Sequence, residues 1–174
     1  MDILNNEFVV VDLETSGLDT NRDFIIEVGA VKIKDGKICD KFSTLVNSLQ
    51  LKCLSPEIEE LTGIKSEQLK NAPLVSEVLQ KLYEFAKGSI LVAHNLPFGF
   101  AFLRNWGFWC GISFDEFENG AIDIVELSKQ FIGKNVENYK LATLADYFNI
   151  KFTPQLTLDY AEATAKIFLE LANF

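Results

Sequence analysis

The sequence predicts an α/β domain built on a mixed five-stranded sheet flanked by helices. Three observations carry this. A continuous apolar run, Phe8 to Val11, leads straight into Asp12 and reads as a strand buried on both faces. Two further strand-like runs meet at Asp35-Gly36, a strong short hairpin signal. From residue 55 onward, helical and strand-like patterns alternate. Strands first and an alternation afterwards make a layered α/β arrangement.

The elements follow in order. The first strand ends at a turn over Thr15-Ser16-Gly17. Phe24 to Lys34 alternates Phe24, Ile26, Val28 and Ala30 with Ile25, Glu27 and Gly29, giving a second strand, and about Lys37 to Val46 gives a third. These three are expected to be antiparallel. Ser55-Pro56 opens a short helix with an N-cap and a first-turn proline, and Gly63 closes it. Pro73 to Lys87 carries an apolar stripe of Val75, Val78, Leu79, Leu82, Phe85 and Ala86 and stops at Gly88. Ser89 to Ala93 is a short buried strand. Asn95 is placed to cap a helix running from Pro97 to Trp106, and Ala121 to Ile124 supplies the fifth strand. Helices are expected over Val125–Phe131, Leu141–Phe148 and Leu156–Leu171.

Length and charge narrow the function classes. The 174 residues fit a single domain, residues 1–174, with a sizeable core. Net charge is −9, from 25 acids against 16 bases, which argues against broad salt-driven adhesion to a nucleic-acid backbone while leaving room for a small site for one strand end. No apolar run reaches the length of a membrane span, and no secretory pattern is present. Cys39, Cys53 and Cys110 lack metal-ligand spacing and read as reduced thiols, so a cytoplasmic location and no membrane partner are expected.

The chemistry-bearing stretch is Asp12-Leu13-Glu14. Side chains alternate along a strand, so Asp12 and Glu14 share one face. In an open α/β sheet, sites form at the carboxyl edge of the strands. Two carboxylates there repel each other and are costly to desolvate, and a divalent cation is the usual remedy. The alternative is that both acids lie where the strand emerges into solvent.

These residues also carry a family resemblance. Val11-Asp-Leu-Glu-Thr-Ser-Gly-Leu18 resembles the first motif of the DEDD exonucleases, of the DEDDh kind, and Leu91-Val-Ala-His-Asn-Leu-Pro-Phe98 resembles the second. Ile58-Glu-Glu-Leu-Thr-Gly-Ile64 and Glu162-Ala-Thr-Ala165 are similar to segments these proteins carry between and after the motifs. The likeness spans nearly the whole chain, and is nearest to the proofreading exonuclease of bacterial DNA polymerase III, epsilon or PolC-type. It implies a ribonuclease H-like fold, 3′–5′ removal of nucleotides, two Mg²⁺ or Mn²⁺ ions held by four acids, and a histidine as general base. It also implies Asp12 and Glu14 as catalytic metal ligands. Leu13, Thr15, His94, Asn95 and Phe98 would meet a single-stranded DNA 3′ end or nucleotide, and a replication polymerase or helicase would be the partner. The turn over Thr15–Leu18 lies where the family meets the terminal nucleotide.

The chain departs from that pattern at three positions. Gly99, Gln155 and Tyr160 stand where the family carries an acid, the catalytic histidine and a second acid. Glutamine cannot exchange a proton at neutral pH. Asp12 and Glu14 alone are expected to hold one weak Mg²⁺ or Mn²⁺ ion, or none, because Mg²⁺ needs only one or two carboxylates plus substrate phosphates. The expected result is a degenerate exonuclease domain, inactive or nearly so, that still meets a strand end or a partner. The alternative is a working 3′–5′ exonuclease in which Asp159 or Asp123 replaces the lost ligands. Asp159 would face away from Asp12 at about 100° per helical residue. The aromatics Phe100, Phe102, Trp106, Phe108 and Trp109 are expected in the core rather than on a base-stacking surface.

Overall fold

The computed structural model describes residues 4–48, 53–117 and 120–173. Strands β1 (Phe8–Thr15), β2 (Ile25–Lys34), β3 (Lys37–Leu45), β4 (Ile90–Ala93) and β5 (Ile122–Asp123) form one sheet in the order β3-β2-β1-β4-β5. β1 pairs with β2, and β2 with β3, antiparallel; β1–β4 and β4–β5 are parallel. The sheet is therefore mixed, with the acid-ended strand at its centre, as the sequence predicts. Asp35 and Gly36 both adopt positive φ (51° and 70°), the backbone of a tight hairpin turn whose twist matches the strands.

Seven α-helices flank this sheet among the described residues: α1 (Pro56–Thr62), α2 (Ser66–Lys70), α3 (Val75–Ala86), α4 (Leu96–Cys110), α5 (Ile124–Phe131), α6 (Leu141–Tyr147) and α7 (Thr157–Leu171). The two sheet faces are buried against different helices. Phe8 and Val10 of β1 pack with Ile124, Leu144, Ile167 and Phe168 of α5 to α7. Val9 and Val11 pack with Leu79, Leu82, Phe102 and Leu103 of α3 and α4. The alternation along β1 thus sorts its residues between two cores, which is why the run is apolar throughout.

Two elements differ from the sequence expectation. Helix α2 carries one buried residue, Leu69, so it shows no periodic stripe. It is held from outside: the Glu59 carboxylate accepts from both the N–H (2.8 Å) and the hydroxyl (2.7 Å) of Ser66. Helix α4 runs on past Trp106 to Cys110. Gly107 lies inside it because a Cβ there would sit 2.6 Å from the Ile112 carbonyl oxygen, and the left-handed Gly111 (φ 72°) ends the helix instead.

Candidate active site

Asp12 and Glu14 project from the carboxyl half of β1 on the face covered by α7, while Leu13 packs on the opposite side with the α3–α4 core. The strand partners of the two acids are Gly29 and Glu27 on β2. Both partners have specific work. A Cβ on Gly29 would lie 2.7 Å from the backbone of Thr157 and Leu158, so glycine lets the first turn of α7 rest directly on the sheet. Glu27, only 6% exposed, accepts hydrogen bonds from the Thr157 N–H (3.2 Å) and from the Thr157 hydroxyl. The start of α7 is thereby fixed beside the acidic pair.

The same arrangement collects negative charge. Glu27 stands directly across from Glu14, where like charges are destabilising. Burial above all, and then the Glu14 and Glu27 carboxylates, pushes the Asp12 carboxyl up from 3.8 to about 8. Burial, followed by Glu27, also raises Glu14. Glu27 is not among the site residues that the sequence predicts. Its signal is nonetheless present there: one acid inside the otherwise uncharged stretch Phe24 to Val31.

The remaining predicted residues divide between structural and accessible roles. Thr15 is buried and its hydroxyl donates to the Gly17 carbonyl (2.6 Å). A Cβ on Gly17 would meet the Asp23 carboxylate within 2.3 Å, so the turn needs glycine, and it leaves Leu18 83% exposed. His94, where β4 gives way to α4, bonds to a residue 45 positions along the chain. Its Nε2 lies 2.8 Å from the Tyr139 carbonyl oxygen, which can only accept, so Nε2 carries the proton. Asn95 is exposed in a left-handed conformation (φ 64°) and its side chain makes no capping bond to α4. Phe98 stacks on Phe102 with ring centroids 5.1 Å apart and joins the α3–α4 core. In the aromatic group, Phe100 and Phe102 are buried as expected, but Phe108 and Trp109 are 76% and 73% exposed. They lie on the part of α4 beyond the helix end that the sequence predicts.

Asp159 and Asp123, the two acids weighed from the sequence as alternative ligands, are engaged in other hydrogen bonds. Asp159 reaches back to accept from the N–H groups of Gln155 (2.8 Å) and Leu156 (3.0 Å), closing the N-terminus of its own helix. Asp123 accepts from Val125 N–H (2.9 Å), capping α5, and from Asn95 N–H (3.2 Å). Tyr160, one turn beyond Thr157, packs its ring edge-on against Phe152 at 5.3 Å. Burial, then Glu14, Asp12 and Asp159, raises its phenol, so the hydroxyl stays protonated. Gly99 sits in the first turn of α4 with open space where a Cβ would be. Among the described residues no group of three or more His, Cys, Asp or Glu side chains is arranged to hold a metal ion. A crowded carboxylate pair is a donor set that would fit a divalent cation completed by substrate oxygens.

The family profile described as Exonuclease matches residues 9–168. The chain belongs to the exonuclease family. The PolC-type DNA polymerase III of Caldanaerobacter subterraneus subsp. tengcongensis is 45% identical over 169 residues, 97% of this chain and 12% of that protein. The PolC-type polymerase of Bacillus subtilis is 39% identical over 165 residues, 94% of this chain and 11% of that protein. The chain thus spans only that small fraction of these relatives. Among solved structures, the nuclease domain of 3′hExo, a DEDDh family member bound to rAMP, superposes with a TM-score of 0.81 at 21% identity, covering 97% of this chain and 92% of that one. E. coli Exonuclease I in complex with a dT13 oligonucleotide gives 0.82 at 11% identity over 96% and 41%. These structural likenesses establish the exonuclease fold, which agrees with the ribonuclease H-like expectation. No helix of the described residues is long and apolar enough to cross a membrane.

Proposed function

We propose that residues 1–174 form one 3′–5′ exonuclease-type domain of the PolC proofreading kind in which hydrolysis is lost or severely impaired, while Asp12 and Glu14 keep a site for one Mg²⁺ or Mn²⁺ ion at a DNA strand end. The observation that carries this is Tyr160. Its phenol is raised by burial and then by the Glu14 and Asp12 carboxylates, which supports a neutral hydroxyl near the pair where the resemblance implies a metal-binding acid. A neutral hydroxyl adds no charge to balance a second ion.

The chain's own residues then have limited roles. Asp12 and Glu14 bind the cation, and Glu27 keeps α7 in register. A bound cation would draw the phosphate oxygens of a strand end to the pair and polarise them. Gln155 can orient a water by hydrogen bonding but cannot take its proton. A positioned general base contributes about 10²–10⁴ in rate, so its loss alone leaves slow turnover at best. The engagement of Asp123 and Asp159 in helix caps weighs against an active site rebuilt around either.

Titration calorimetry with Mn²⁺ in the presence of dTMP tests this reading. One ion per chain is expected, with the heat lost in Asp12→Ala. No heat in the wild-type chain, or two ions, would overturn it.

A further inference from the structure

Helix α4 ends in an apolar ridge. Phe108 and Trp109 are 76% and 73% exposed, and their rings meet edge to face at 5.8 Å. At about 100° per helical residue, the two side chains straddle the outer face of the helix. Trp109 lines a cleft of about 490 Å³ between the loop at 20–24, the start of α3 and α4. Phe108 lines a second cleft, of about 410 Å³, between α4 and residues 111–115. Donors around the first cleft are turned into the protein. The Trp106 indole N–H donates to Asp23 O (3.2 Å), the Asn105 amide to Thr20 O and the Asn47 amide to Lys70 O (3.1 Å). Between them the walls offer Phe24, Leu74, Val75 and Trp109. An apolar side chain seated there leaves those donors paired.

Residue types mark this surface as a protein interface. The chain has two tryptophans and two arginines. Both tryptophans and Arg22 line the first cleft, and Arg104 lines the second. Trp and Arg dominate binding hot spots, whereas Lys is depleted at interfaces. We propose that this ridge is the interface of a homodimer, with Phe108 of each copy entering the Trp109 cleft of the other. Three observations favour a second copy over a different protein. A closed two-fold interface needs knob and hole on the same face, and α4 presents both. The flanks of the ridge are self-complementary in charge: Arg22 lies 3.6 Å from Asp19 on one side, and Arg104 lies 2.7 Å from Asp115 on the other. A two-fold axis along α4 sets unlike flanks against each other, so Arg22 of one copy faces Asp115 of the other. The area also suffices. The two exposed rings offer on the order of 200–400 Å² per copy, from about 150–250 Å² for a fully buried aromatic. Each covers a comparable area of cleft wall, so the total comes to roughly 1,000 Å², a small, reversible interface. Ala101, two turns before Phe108, is exposed and leaves the helices room to approach. A net charge of −9 on each copy opposes association and keeps the dimer weak. The carboxylate pair takes no part in it.

Sedimentation equilibrium of the whole chain in EDTA tests this. A reversible monomer–dimer equilibrium with a micromolar dissociation constant, closed at two copies, is expected. Phe108→Ala and Trp109→Ala should each weaken it by about tenfold or more with Tm kept, because both rings are exposed. Leu61→Ala removes an equally exposed apolar side chain (80%) from α1 and should leave the equilibrium unchanged. Arg22→Asp and Asp115→Arg should each weaken self-association, and a mixture of those two chains should associate more tightly than either alone. The proposal is overturned by a dimer that survives both ring truncations, by an equal loss in Leu61→Ala, or by mixed chains that associate no better than either alone. A chain that stays monomeric up to millimolar concentration would also overturn it, leaving the ridge to a different protein.

Discussion

At the scale of single residues, the chain concentrates its unfavourable charge at Asp12. A carboxyl raised from 3.8 to about 8 holds, in the folded protein, a proton that the unfolded chain has released above about pH 4. The folded state binds more protons throughout that window, so stability falls as pH rises from about 4 to about 8. At about 1.36 kcal/mol per pH unit, the loss is on the order of a few kcal/mol. Chemical denaturation in EDTA across this range should show the decline, and Asp12→Asn should flatten much of it and raise stability at pH 8 and above. Mn²⁺ should stabilise the wild-type chain more at pH 8 than at pH 5, because the ion competes with the proton. Asp12 and Glu14 are legible in the sequence because a buried strand that ends in two same-face acids gathers charge which only solvent or a cation can relieve. Glu27 is not legible as part of the same cluster, since its contribution depends on strand register, which places it opposite Glu14.

At the scale of elements, the site depends on how α7 meets β2. The contact is backbone against backbone over Gly29, with Glu27 accepting from Thr157. Gly29→Ala must push the helix outward and should cost about 1–3 kcal/mol, as overpacking does. Glu27→Ala leaves the buried Thr157 N–H without its acceptor and should cost a similar amount, whereas Glu27→Gln keeps an acceptor while removing the repulsion with Glu14 and should cost less. Urea denaturation of the three variants at pH 8 would rank them. Helix α7 itself is legible from its stripe of Leu158, Ala161, Ala165, Phe168 and Leu169. Helix α2 is hidden, because it is five residues long with one buried side chain and takes part of its N-terminal support from the Glu59 carboxylate, seven residues before Ser66. The end of α4 is obscured for a related reason. Gly107 resembles a stop signal in sequence, but its missing Cβ serves the packing of Ile112 and Phe114. Ending the helix at Trp106 leaves Phe108 and Trp109 off it and hides their exposure.

At the scale of the whole molecule, the five-stranded topology follows from order and punctuation: a central apolar strand, an Asp35-Gly36 hairpin, then alternating helices and strands. The state of the active site does not follow from topology. The proposal of lost hydrolysis turns on Gly99, Gln155 and Tyr160, three positions at which the family resemblance implies other residues. The space beside Gly99 and the fixed register of α7 make these positions reversible. The proposed loss of hydrolysis is therefore best tested by degradation of a 5′-labelled single strand with Mn²⁺, comparing the wild-type chain with Gly99→Asp/Gln155→His/Tyr160→Asp, each with and without Asp12→Ala. No laddering is expected from the wild type, and the triple variant should ladder the strand from its 3′ end in a manner abolished by Asp12→Ala. Asp12-dependent laddering by the wild type would contradict this, as would a triple variant that folds, binds two Mn²⁺ ions and still cuts nothing.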